Sequence, residues 1–242
     1  MNHAILYEDA AVVVADKPAG VGVIPSRQPG SDETCFRDAV SLQLGIRLFV
    51  VHRLDALTSG AVLFAKNADA HRFLCGCFEA GRIRKRYIAV VTGRPPARTR
   101  IDVPWHAARR GKARPAERGE AGARRCVTDI MTLCQSPEGA LVAAFPLTGR
   151  LHQIRMHLRA IGCPIIGDPL YGVGAARSHP RLLLHHQAIR VPAPSGDSAV
   201  LVTSPLSPEI VAAIDSFGLD AATAQITGDP FACPATSPRI AG

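Results

Sequence analysis

The chain has 242 residues, 47% of them hydrophobic, with a net charge of +8 and a pI near 9.5. That length and composition describe a globular protein that needs no disulfide or metal staple to complete its core, and no apolar window approaches the roughly 18 residues of a membrane span. The basic balance favours a polyanionic partner, nucleic acid ahead of an anionic membrane.

Ile5-Leu6-Tyr7 and Val12 to Ala15 are short apolar runs separated by Glu8-Asp9, the pattern of a hairpin. Lys17-Pro18-Ala19-Gly20 then breaks the strand into a tight bend. From Thr34, a good N-cap, Phe36, Val40 and Leu44 recur at helical spacing until Gly45 ends the run. Phe49 to Val51 and Ala61 to Ala65 read as buried strands, with His52-Arg53-Leu54-Asp55 and the turn Thr58-Ser59-Gly60 between them. Asp55 is therefore expected on a loop anchored by the core at both ends, where chemistry tends to sit. Arg53 can keep such an acid ionised; the other reading of Asp55 is a turn aspartate that caps its own backbone.

A second helix is predicted from near Asp69 to Gly81, with Phe73, Leu74, Cys77 and Phe78 as its stripe and His71 on the surface. Arg82, Arg84, Lys85 and Arg86 precede a strand from Tyr87 to Thr92. Tyr87 can stack on an extruded base while the cations take phosphates, or it can pack in the sheet. Residues 104 to 125 hold seven cations against two acids and the single tryptophan, Trp105. They suit either a solvated loop or an arm that closes on a phosphate backbone.

A strand is predicted over residues 126 to 134 and another over Ala140 to Leu147, after which Thr148 is expected to cap a helix beginning near Arg150. Leu151, Ile154, Leu158 and Ile161 would form its buried stripe, with Arg155 and Arg159 on an outer face. Gly167 to Gly172 is a turn cluster, and Arg181 to His186 a strand whose leucines, Leu184 among them, wall an apolar pocket. His185 and His186 are strand neighbours on opposite faces, which disfavours a shared metal. Val200 to Thr203 reads as a strand, and Ser207-Pro208 starts a final helix. After Leu219 apolar patterning fades, so residues 1–218 are expected to form one domain and 219–242 a disordered tail. Seven cysteines at irregular spacing argue against a disulfide framework, and Cys75-Gly76-Cys77 lacks zinc-site spacing. The N-terminus lacks signal-peptide order, so a cytoplasmic protein is expected.

His52-Arg53-Leu54-Asp55-Ala56-Leu57-Thr58-Ser59-Gly60 resembles the active-site signature of the RluA-type pseudouridine synthases. Three further segments agree in family order: Asp16 to Gly20, Lys85 to Ala89, and Thr148 to Arg155 continuing through Gly167 to Gly172. The family's aromatic after its threonine is missing at Thr128-Asp129-Ile130. The resemblance implies an α+β fold with a mixed, mostly antiparallel sheet, flanking helices and a central active-site cleft. It implies that uridine in RNA is isomerised to pseudouridine without cofactor or metal, with Asp55 as nucleophile, Tyr87 stacked on the target base and Arg155 paired with Asp55. Substrate contacts are expected from Lys17, His52, Arg53, Arg150, Gln153 and Leu184, and from Arg109, Arg110, Lys112 and Arg114 in the basic loop. The family's small appended RNA-binding domain is expected to be missing, since the chain starts directly with the catalytic hairpin. That likens the chain to the compact members and implies a monomer acting on structured rRNA or a tRNA stem-loop. The rivals are a non-catalytic RNA-binding protein on the same scaffold and an aspartate-dependent nucleoside glycosidase, for which Asp168 is the only other motif acid.

Overall fold

The computed structural model describes residues 2–25, 34–107, 112–117, 119–177, 179–193, 198–225, 229–231 and 239–241. The chain forms two compact units, residues 1–84 with 186–205 and residues 85–185 with 206–242.

In the first unit, β1 (Ile5–Glu8) and β2 (Val12–Lys17) form the expected antiparallel hairpin. Asp9 closes its turn, Oδ1 accepting from the N–H groups of Ala11 and Val12 at 2.7 and 2.8 Å. β2 pairs antiparallel with β4 (Ser59–Ala65), which also carries the short β3 (Phe49–Val50). All of β4 is buried, which its unbroken small and apolar run requires of a central strand. β11 (Leu184–Pro192), from His186 onward, lies beyond β4 and pairs antiparallel with β12 (Ala199–Thr203). Helix α1 (Phe36–Leu44) ends at Gly45 as predicted, but its N-cap is Cys35 rather than Thr34 and makes no side-chain cap bond. Helix α2 (Ala68–Glu79) is capped by Asn67, whose Oδ1 accepts from Ala70 N–H at 2.9 Å. Leu74 and Cys77 of α2 pack with Val14, Leu63 and Ile189 of the sheet. His71 is not a loose surface group, because its Nε2 bonds to Val50 O at 3.2 Å.

The second unit is built on β5 (Arg84–Val91, counted from Lys85), β10 (Ala140–Pro146), β9 (Val127–Gln135) and β6 (Arg98–Asp102), antiparallel in that order. β13 (Arg239–Ala241) joins β6 in parallel. β7 (Trp105–Ala107) and β8 (Ala113–Pro115) make a separate hairpin within the basic segment. Arg109 and Arg110, expected to meet RNA, lie outside the described residues. Helix α4 (Pro208–Ser216) begins with proline after Ser207, as predicted.

Two expectations need correction. Helix α3 (Gln153–Ala160) starts three residues later than predicted, and every residue from Gln153 to Leu158 is buried, Arg155 included. Thr148 does not cap it: its hydroxyl accepts from Val127 N–H at 3.0 Å and donates to Gln153 Oε1 at 2.7 Å. The tail is not structureless throughout, since Leu219, Ala224 and Phe231 are buried and β13 extends the sheet. Small and isolated apolar residues there carry no periodic signal, although each finds a place in the core. Among the described residues no helix is long and apolar enough to cross a membrane.

Candidate active site

Asp55 sits half-buried in the turn between β3 and β4, its carbonyl accepting from Thr58 N–H at 3.0 Å. The next residue ties the turn down: Ala56 O accepts from Gly20 N–H at 2.8 Å and from Lys17 Nζ at 3.0 Å. Lys17 Nζ also donates to Pro18 O and Val21 O, both at 2.7 Å, and the residue is 1% exposed. Three ammonium protons thus meet three backbone carbonyls, the arrangement that lets a cation be buried. Lys17, expected on the substrate side, is instead the clasp between the Pro18–Val21 bend and the Asp55 turn.

His52 is likewise occupied within the fold. Its Nε2 accepts from Leu63 N–H at 3.0 Å, and its ring lies 5.1 Å from Phe78 and 6.0 Å from His186. Leu54 is buried, whereas Arg53 is exposed and available to a partner in solution. Gly60 has φ +112°, and a side chain there would collide with the backbone of His186. The glycine of the Thr-Ser-Gly turn is therefore demanded by the close passage of β11.

The second unit holds Tyr87 and Arg155. Tyr87 is buried on β5, opposite Ala144 of β10. Leu183 is laced between Val90 N–H, at 3.1 Å from its carbonyl, and Ile166 O, at 2.9 Å from its nitrogen, so Leu182, Leu183 and Leu184 are all buried beside β5. Lys85 precedes Tyr87 by two residues, and burial pulls its amine down to about 8. A Cβ on Gly149 would lie 3.9 Å from Lys85 Nζ, which places that amine against the Thr-Gly-Arg segment.

Arg155 is held by Asp168 through two parallel bonds, Nε to Oδ2 and Nη2 to Oδ1, each 2.8 Å. Its guanidinium also lies 5.3 Å from the centre of the Tyr171 ring. The Tyr171 hydroxyl accepts from Ala113 N–H at 2.8 Å, donates to Ala113 O at 3.1 Å, and is 3.0 Å from His152 Nδ1. His152, the residue before α3, has φ +53°, the only non-glycine in that region among the described residues. A histidine in the left-handed region is uncommon, and here it turns the chain from Leu151 directly into the helix.

Gln153, also expected to meet substrate, is fully engaged inside the unit. Its Oε1 accepts from Thr148 Oγ1 and Arg150 N–H at 2.7 and 3.0 Å, and its Nε2 donates to Val127 O and Thr128 Oγ1, both at 2.9 Å. Arg150 is only partly buried, with Nε donating to Arg125 O at 3.3 Å. The chemical resources are therefore a carboxylate on a pinned turn in the first unit, and an aromatic, an amine and a locked guanidinium in the second. Among the described residues no cluster of histidine, cysteine or acidic groups could hold a metal. Sequence reasoning missed Asp168 as the partner of Arg155; the turn cluster around it marked a structural acid without saying what it structures.

Residues 11–160 match the family described as RNA pseudouridylate synthase. The chain is 30% identical to tRNA pseudouridine synthase C of Haemophilus influenzae over 88% of its own length and 97% of that protein. It is 31% identical to the dual-specificity RNA pseudouridine synthase RluA of Escherichia coli over 83% and 92% of the respective chains. Its fold is similar to that of human RNA pseudouridylate synthase domain containing 4, with a TM-score of 0.75, 25% identity, and 89% and 93% of the two chains covered.

Proposed function

The chain belongs to the RNA pseudouridylate synthase family and is an isomerase acting on RNA uridine, and from that premise we propose that Asp55 is its nucleophile and that Tyr87 and Arg155 are its other catalytic residues. The observation that carries this reading is the pinned turn: a half-buried carboxylate in the His-Arg-Leu-Asp segment, held through Ala56 by Lys17 and Gly20. A nucleophile fixed in this way loses little entropy on reaching its reactive geometry.

The target nucleotide is flipped out of its stem-loop and the uracil stacks on Tyr87, which repays part of the few kcal/mol that extrusion costs. Asp55 attacks, or abstracts a proton once the glycosidic bond has broken. The N1–C1′ bond is lost, the ring turns, C5 bonds to C1′, and the proton leaving C5 is balanced by one gained at N1. Arg155, gripped by Asp168, contributes a guanidinium held in one orientation. Arg53 and Arg150 contact the RNA, and Leu184 lines the base pocket. Lys17, His52 and Gln153 act one step back, by positioning those groups.

The substrate is structured rRNA or a tRNA stem-loop, tRNA being the substrate in the name of the Haemophilus influenzae relative, and the protein acts as a monomer in the cytoplasm. Site-resolved pseudouridine mapping of total rRNA and tRNA from cells with wild-type protein, a deletion and Asp55→Asn tests this. One or a few uridines should lose modification in both mutants. Unchanged modification in Asp55→Asn would remove Asp55 from the chemistry, and release of free uracil would favour a glycosidase.

A further inference from the structure

Beside the hairpin β7–β8 the second unit has an open recess of about 380 Å³ lined by Trp105, His106, Ala107, Gly122, Arg124 and Arg150. Its walls are built rather than accidental. Trp105 and Arg124 exchange both backbone hydrogen bonds at 2.8 Å, and the indole Nε1 donates to Leu151 O at 2.9 Å, which locks the ring in place. His106 is fixed by contacts of its ring nitrogens with Ala107 O at 2.7 Å and Ala121 O at 3.2 Å. Gly122 has φ +80°, and a Cβ there would stand 3.2 Å from His106 Nε2, so the glycine keeps that side of the recess open.

Charge points the same way. Among the described residues no carboxylate pairs with Arg124 or Arg150, and Glu120, the acid nearest His106, is engaged by Arg114. Two held aromatic rings with two guanidinia lacking an acidic partner are the chemistry of a base-stacking and phosphate-binding subsite. The volume is at the small end of ligand pockets, which suits one nucleotide.

We propose that this recess is a second nucleotide subsite, which takes one single-stranded nucleotide of the substrate RNA outside the target uridine, the base against Trp105 or His106 and its phosphate on Arg124 and Arg150. It rests on the reading of the protein as an RNA enzyme, and of the groups named for that activity it shares only Arg150, an RNA contact, and none that touches the reacting atoms. The subsite fixes which stem-loops are bound by requiring an unpaired nucleotide at a set reach from the target.

Because Trp105 is the only tryptophan, its fluorescence reports on the recess directly. The full-length protein is titrated with a single-stranded RNA hexamer, as wild type, Arg124→Gln, His106→Ala and Asp55→Asn. Saturable quenching is expected in wild type and Asp55→Asn, with affinity reduced about tenfold in Arg124→Gln, the loss of one charge-assisted contact. Inorganic phosphate alone should not quench. Absence of quenching, or equal affinity in wild type, Arg124→Gln and His106→Ala, overturns the proposal. Binding is read without turnover, so normal uridine modification with no quenching defeats the subsite alone, whereas quenching without modification defeats the enzymatic assignment and leaves the subsite standing.

Discussion

Arg155 and Asp168 form a two-pronged ion pair in which both bonds are 2.8 Å and the side chains are 2% and 0% exposed. Burial alone would raise the Asp168 carboxyl, but the Arg155 contacts and the N–H groups of Tyr171 and Leu170 outweigh it and hold it below its usual value. Asp168 takes Nε and Nη2, and because a guanidinium is planar this fixes the direction in which Nη1 points.

Replacing Asp168 with asparagine leaves a buried cation with half its partner. Breaking one side of such a pair costs about 3–5 kcal/mol, and for a chain of this size that lowers Tm by roughly 10 °C. Calorimetry and kinetics together check this: kcat should fall much more than KM rises. A variant with normal kcat would show that Asp168 supports the fold alone.

Tyr171→Phe keeps the ring under Arg155 but removes the hydroxyl that grips both backbone groups of Ala113. Loss of those bonds should free β8 from the rest of its unit at a cost of about 1–3 kcal/mol. Faster amide exchange in β7 and β8, with a raised KM for RNA, is the expected result.

Lys17→Met fills similar space but deserts three carbonyls, those of Pro18, Val21 and Ala56. Buried acceptors without donors cost about 1–3 kcal/mol each. Stability should drop by several kcal/mol in urea denaturation. In the fraction that remains folded kcat should fall, because the turn carrying Asp55 is no longer clasped; an unchanged kcat would separate the clasp from the chemistry.

His157 predicts a pH effect. It is 0% exposed, with Nδ1 accepting from Thr128 Oγ1 at 2.8 Å and Nε2 donating to Val103 O at 3.1 Å. Burial lowers it from 6.5 to about 4. The unfolded chain therefore takes a proton on this histidine as pH drops below 6.5, while the folded protein resists until about 4. Stability is full above the upper limit and declines through that window by on the order of 3 kcal/mol. Urea midpoints between those two pH values should fall less steeply in His157→Gln than in wild type.

Much of this was legible beforehand. The hairpin at Glu8-Asp9, the stripe of α2 and the Ser207-Pro208 helix start are local signals, written in neighbours a few residues apart. So was the loop that bears Asp55, because the apolar runs on either side and the turn residues between them mark it. The reading failed at α3, where Gln153 to Leu158 are buried on every side. A helix wrapped by protein hides its polar residues in paired networks, so of the two arginines expected on its outer face only Arg159 is exposed, while Arg155 is buried against Asp168.

The sequence by itself determined the helices and the strands other than β6, β7, β8 and β13, the family, the reaction and the loop that bears Asp55, since each depends on residue identity and short spacing. Only the tertiary structure decided that Lys17 and Gln153 are spent inside the fold, that Arg155 is gripped by Asp168, and that Trp105, Arg124 and Arg150 share one recess. The reason is physical: a long polar side chain takes its role from whichever carbonyl, carboxylate or ring the chain brings across from far along the sequence, and no local pattern records that meeting.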